Sequence, residues 1–156
     1  MINLASLSKI SNFQIVLPNS LKTIQFYCQE ATLPGITVGT IESKYMSMID
    51  YRPGDSLNYN PLTLTIICDQ GLETYKELFS ILKLTHDPMT NRLEVNQEIF
   101  DGYLMLTSNK NNIIHKVHFY DCFITDISDI TFQSTSGEEP SFNITIGIRY
   151  NFHKFE

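Results

Sequence analysis

Charge is scarce in this 156-residue sequence: Asp, Glu, Lys and Arg make up 18% of it, against about 25% in an ordinary soluble domain. The 11 basic residues are scattered and the net charge is −6. Phosphate contacts need grouped Lys and Arg, so a high-affinity nucleic-acid binder is excluded. Long apolar runs are also missing, and the opening Met1-Ile2-Asn3-Leu4-Ala5-Ser6 has no basic region leading into an apolar one. Neither a membrane span nor a signal peptide is expected, and assembly in a cytosol is the default. Cys28, Cys68 and Cys122 are an odd, widely spaced set without a Cys-x-x-Cys pair, which argues against a disulfide framework or a zinc site. Each alternates with polar residues and reads as a small buried apolar side chain.

Catalytic signatures are equally absent. The sequence holds no glycine-rich phosphate loop, Gly-x-Ser-x-Gly elbow or His-Glu-x-x-His, which removes the motif-borne routes to nucleotide and hydrolytic chemistry. His115 and His118 stand three positions apart, an odd offset; on a strand they point to opposite faces and cannot share a metal. Asp126 and Asp129, and Glu138 beside Glu139, fit solvated turns better than an acid/base pair, since no nucleophile or partner base is placed near them. Asn143-Ile144-Thr145 matches a glycosylation sequon by chance, given the missing secretion signal. No enzyme, cofactor or metal is expected.

What is present is a β pattern on a chain long enough for one core, with 42% apolar residues. Phe13, Ile15, Leu17 and then Ile24, Phe26, Cys28 alternate across Asn19-Ser20, predicting a hairpin of Asn12–Pro18 with Thr23–Gln29 and leaving residues 1–11 as an N-terminal arm. Pro61–Cys68, Tyr103–Thr107, Ile113–Thr125 and Asp129–Gln133 read as further strands. Asp69 is a candidate N-cap for the one clear helix, residues 71–84, where Leu72, Tyr75, Phe79 and Leu82 recur at helical spacing. Asp87-Pro88 breaks that helix. From Ser141 to His153 the even positions Phe142, Ile144, Ile146, Ile148, Tyr150 and Phe152 are apolar and the odd ones polar or small, a core strand of unusual length.

Residues 33–60 lose this periodicity. Turn signals at Pro34-Gly35 and Pro53-Gly54-Asp55 bracket Tyr45-Met46-Ser47-Met48-Ile49-Asp50-Tyr51, predicting a projecting hairpin or long loop. A neutral projection rich in Met and Tyr suits the centre of a protein interface, and open strand edges invite pairing with other copies of the chain into a ring. Leu33, Pro34, Tyr45, Met46, Met48 and Tyr51 are the candidate assembly residues.

Asn12-Phe13-Gln14-Ile15 and the run Phe26-Tyr27-Cys28-Gln29-Glu30-Ala31-Thr32-Leu33-Pro34-Gly35 resemble the opening of the tail-tube proteins of large contractile-tailed (T4-like) bacteriophages. The order continues through Pro53-Gly54-Asp55, Leu62-Thr63-Leu64-Thr65-Ile66, Asp69 with its helix, Phe119-Tyr120-Asp121-Cys122-Phe123-Ile124-Thr125-Asp126-Ile127 and the last alternating strand. The family's usual Phe-Pro-Thr stands here as Phe123-Ile124-Thr125. Covering nearly the whole chain, the resemblance is one of order and pattern.

It implies one mainly β domain over 1–156, an antiparallel β-sandwich or partly closed barrel with one flanking α-helix. It also implies homohexameric rings that stack into a tube within the phage tail of the virion, assembled in the host cytoplasm, with tail sheath and baseplate proteins as partners. Six copies at −6 each would give −36 per ring, and a lumen without cationic clusters would let DNA pass without specific binding. A tube-end protein of the same fold, at the baseplate–tube junction or as a tube initiator, is the alternative; a monomeric β-barrel carrier of an apolar ligand is a third reading.

Overall fold

In the computed structural model, residues 12–69, 71–85, 99–108, 112–132 and 142–156 are described. The expected arm (1–11), the Asp87-Pro88 connection and the Glu138-Glu139 loop lie outside them. The elements are β1 (Phe13–Val16), α1 (Lys22–Tyr27), β2 (Cys28–Thr32), β3 (Ile36–Tyr45), β4 (Met48–Tyr59), β5 (Leu62–Cys68), α2 (Glu73–Thr85), β6 (Phe100–Thr107), β7 (Ile113–Ile127), β8 (Phe142–Arg149) and β9 (Phe152–Phe155). The strand pairs are antiparallel, in the order β1-β6-β7-β8-β5-β2, with β9 added to β7 and β3-β4 forming a separate ribbon.

β7 is long enough to serve two sheets. Its first part pairs with β6 and β9, its last part with β8. One core cluster draws Leu104, Val117 and Phe119 from the first sheet and Leu62, Leu64, Ile66, Ile144, Ile146 and Ile148 from the second, so the two layers close over a shared interior. Edge strands β1 and β2 do not pair with each other, so the barrel stays open on that side. β5 alternates buried and half-buried along its whole length, as a strand with one face on the core should.

The expected helix 71–84 forms as Glu73–Thr85. Asp69 caps it: its Oδ1 accepts from the Glu73 amide at 3.1 Å and from the Thr74 hydroxyl at 3.4 Å. Leu72, at φ 56, turns the chain into the helix, and Leu78 carries its apolar stripe into the core.

Three expectations fail for physical reasons. The early hairpin is absent. β1 pairs with β6 instead, and Pro18, whose ring fixes φ and removes a donor, leads through a 3-10 turn at Asn19–Leu21 into α1, a second helix. Leu21 and Ile24 are buried at i, i+3 spacing, whereas Phe26, part of the apparent alternation, is 81% exposed. No strand forms at Ser128–Phe132, and Gln133 lies outside the described residues.

Thirdly, the last long strand is two strands. At Tyr150-Asn151 the chain leaves the sheet of β5 and joins that of β6, alongside the bend where β7 does the same. Asp121, at φ 54, marks that bend; its Oδ2 accepts from Asn151 Nδ2 at 2.8 Å and the Asn151 amide donates to the Tyr120 carbonyl at 3.0 Å. The break inverts the alternation. Ile144, Ile146, Ile148 and Tyr150 are buried and Phe142 half-buried, but Phe152 turns outward to stack on Tyr120 at 4.4 Å, and His153 turns inward in its place. Phe152 is therefore not a core residue.

Candidate functional site: the projecting hairpin

β3 and β4 settle the hairpin-or-loop question in favour of a hairpin, with strands of ten and twelve residues. At ~3.4 Å per residue it reaches about 30 Å. Cross-strand pairs place Ile36 opposite Tyr59, Val38 opposite Leu57, Glu42 opposite Tyr51 and Tyr45 opposite Met48. Beyond its base, neither face is covered by the body: Ile36, Val38, Ile41, Tyr45, Met46, Met48, Ile49, Tyr51 and Leu57 are all exposed. A two-stranded ribbon is marginal in water by itself, and this much unpartnered apolar surface marks an interaction site.

The tip is a two-residue turn, Met46-Ser47, in which Met46 holds φ 55. That conformation favours Gly. A Met placed there presents its whole side chain to solvent, 91% exposed, with Met48 at 77% beside it. Tyr45 and Tyr51 are exposed on the same ribbon and Leu33 at its foot, but Pro34 is buried within the chain and cannot meet a partner. Pro53-Gly54-Asp55 is not a turn but a bulge inside β4, where the register slips between Val38 and Thr40. A Cβ on Gly54 would lie 2.8 Å from the Gly39 carbonyl oxygen. Gly54→Ala should therefore push the strands apart at the bulge, visible as lost amide protection in β3 and β4 with the core amides unchanged.

The base is fastened to the body. The Tyr150 hydroxyl donates to the Asn60 carbonyl at 2.8 Å, the Asn60 amide donates to the Gly35 carbonyl at 3.0 Å, and the Tyr59 ring packs edge-on against Tyr150 at 5.9 Å. Burial first, then neighbouring Tyr59 and Cys122, push the Tyr150 phenol up to about 12. Its neutral, donating form is favoured in the fold, so what it contributes is present below pH ~10 and is lost as pH rises towards its folded value. Tyr150→Phe should cost about 1 kcal/mol at pH 7 and flatten the alkaline end of the unfolding profile, checked by urea titrations between pH 7 and pH 11.

Sequence reasoning missed Ile36, Val38 and Leu57 as exposed apolar residues and Tyr150 as the anchor; the 36/38 and 57/59 alternation was a usable signal for the first set. Among the described residues no group of three or more His, Cys, Asp or Glu could hold a metal. Burial holds Cys28 up to about 11 and Cys122 up to about 12, so neither offers a thiolate near neutrality. No helix among the described residues is long and apolar enough to cross a membrane.

An antiparallel β body here extends a bare apolar ribbon, the kind of surface that marks an interaction site. The sequence matches the family model described as phage tail tube protein over residues 3–155, and the chain belongs to that family. The tail tube terminator protein of Enterobacteria phage T4 is 24% identical over 153 residues, spanning 94% of this chain and 87% of that protein. Among solved structures, a chain of the sheath-tube complex of an extracellular contractile injection system (PVC, extended state) aligns at TM-score 0.68 with 18% identity, covering 98% of this chain and 93% of that one. A chain of the anti-feeding prophage tube terminating cap aligns at 0.67 with 17% identity over 100% and 99%. These likenesses fix the fold as that of contractile-system tube proteins.

Proposed function

We propose that this chain is a structural protein at the end of a phage tail tube, forming a terminating ring. The observation that carries the reading is the end-to-end relationship to the T4 tail tube terminator protein, 94% of this chain against 87% of that one. Likeness to a chain of a tube terminating cap and to one of a sheath/tube terminator assembly, at TM-scores 0.67 and 0.59, supports it. The sequence alone put a repeated tube subunit first and a tube-end protein, at the baseplate junction or as an initiator, as the alternative; this reading takes the tube-end alternative and places it at the capped end.

In this reading six copies form the ring, the hairpin residues Leu33, Tyr45, Met46, Met48 and Tyr51 contact neighbouring copies or the last tube ring, and the open edges of β1 and β2 face adjoining subunits. The ring belongs to the virion, is assembled in the host cytoplasm, meets the sheath, and encloses a lumen without cationic clusters through which DNA passes without being held. The second reading, a repeated tube subunit, is favoured by the sheath-tube likeness at TM-score 0.68. Native mass spectrometry with negative-stain microscopy separates them: a terminator gives discrete rings, a tube subunit gives stacks of variable length.

A further inference from the structure

We propose that residues 1–7 of this chain dock, through Ile2 and Leu4, in the apolar groove between β1 and α1 of the same chain, covering the open side of the barrel before another copy reaches it. The proposal concerns the single chain and holds whichever kind of ring the protein builds.

The groove is a cavity of about 280 Å³ on the side where the barrel stays open. β1 contributes Phe13 and Ile15 to its lining, α1 contributes Lys22, Gln25 and Phe26, and β2 contributes Cys28. Gln25 is fixed there, its Oε1 accepting from the Leu17 amide at 3.1 Å, and the Cys28 thiol is oriented by donating to the Glu30 carbonyl at 3.4 Å. Phe26 stands out. It is 81% exposed in a helix whose Ile24 is buried, and it meets Tyr27, itself exposed, edge-on at 5.2 Å. A bare aromatic ring at the mouth of an apolar groove marks an interaction surface. Among the described residues β1 pairs only with β6 and β2 only with β5, so each keeps a free edge here. Natural sheets blunt such edges by covering them with a helix or a loop.

The sequence supplies a cover at the right place. Residues 1–11 lie outside the described residues and join β1 at Asn12, whose carbonyl accepts from the Thr107 amide of β6 at 3.0 Å. That bond roots the segment next to Phe13, at the groove itself. Lys9 is the one charged side chain among the eleven, so the segment suits an apolar seat. Ser8, Ser11 and Asn12 favour turns, and a reversal there sends residues 1–7 back along β1. Extended at ~3.4 Å per residue they span about 24 Å, longer than the four-residue strand they must follow. Ile2 and Leu4 then share one face and enter the groove, with Asn3 and Ala5 on the other. A short tether holds the segment at millimolar effective concentration, so in dilute solution it reaches the groove ahead of any neighbour. An adjoining copy that uses the β1 or β2 edge must displace it.

Cross-linking of the dilute full chain tests this. In Leu4→Cys the introduced thiol should lie near Cys28, while Cys68 and Cys122 are buried. A short bis-maleimide should give a monomer with an internal link between position 4 and Cys28, mapped by peptide mass spectrometry, at a rate compared with that of a monofunctional maleimide. Adding Phe26→Ser removes the mouth of the groove and keeps the tether, so the relative linking rate should fall about tenfold, the scale of losing the seat of an apolar side chain. Adding Ile2→Ser to Leu4→Cys should have the same effect without touching the groove, which keeps the test valid if the Phe26 variant does not fold. An unchanged rate in either folded variant would mean that the tether alone brings the thiols together, and overturns the proposal. So would a link found at dimer mass, which assigns the groove to a neighbour's segment, or no link to Cys28 at all.

Discussion

Replacing Met46 and Met48 together by Asp should leave a folded 17.9 kDa chain that no longer associates. Both side chains stand in solvent at the hairpin tip and touch no core residue, so the stability of the single chain should change by no more than about 0.5 kcal/mol. The effect falls on assembly. Each Met buried at an interface contributes roughly 1.5–3 kcal/mol of apolar transfer, so the pair removes about 3 kcal/mol or more per contact, about a hundredfold or greater in the association constant. Placing carboxylates at a desolvated contact adds a further cost. Size-exclusion chromatography with light scattering reads the outcome directly. Rings of normal mass from the double variant would show that the tip is not an assembly surface.

Ile146→Ala should produce the largest loss of stability with the hairpin untouched. Ile146 is fully buried and registered between Leu64 of β5 and Ile127 of β7, at the centre of the second sheet. Removing three carbons there forfeits their transfer energy and leaves a cavity that strands held on both sides cannot easily close, a loss of about 2–5 kcal/mol. For a domain of this size that corresponds to a fall in Tm of roughly 5–15 °C. Scanning calorimetry on wild type and variant measures it. A shift under about 2 °C would mean that the interior is far less closely packed than the structure describes. The two variants separate the two properties of the molecule: one removes association and keeps the fold, the other weakens the fold and leaves the tip chemistry intact.

The parts of the fold that could be read from sequence are those in which local pattern and tertiary burial agree. β5, β8 and most of β7 alternate because one face meets the core, and α2 repeats at helical spacing below a capping Asp69. Pattern misled wherever the chain changes partner. Ile24, Phe26 and Cys28 alternate as a strand would, but burial of Leu21 and Ile24 after Pro18 selects a helix. The apolar row continuing to Phe152 conceals the change of sheet at Tyr150-Asn151, because Phe152 is retained for stacking on Tyr120 rather than for core burial. Nothing local in the sequence records that the corner is shared with Asp121 thirty residues earlier.

The hairpin was legible for the opposite reason. Its Met and Tyr residues fit neither period, and apolar residues that fit no period have no place in a subunit core. Its exact construction was not legible: Pro53-Gly54-Asp55 has turn chemistry but serves as a bulge, because Gly54 lets the Gly39 carbonyl approach closely. Pro34 has the composition of an exposed turn and is nonetheless buried under the hairpin's foot.

The central claim, that this member of the phage tail tube family ends a tube rather than extending one, is tested most directly by imaging the purified protein across a concentration series with native mass measured in parallel. Single rings of one mass, constant in height as concentration rises, are the predicted result. Stacks that lengthen with concentration would contradict it and assign the chain to the repeating tube, and a monomer at every concentration would contradict assembly itself.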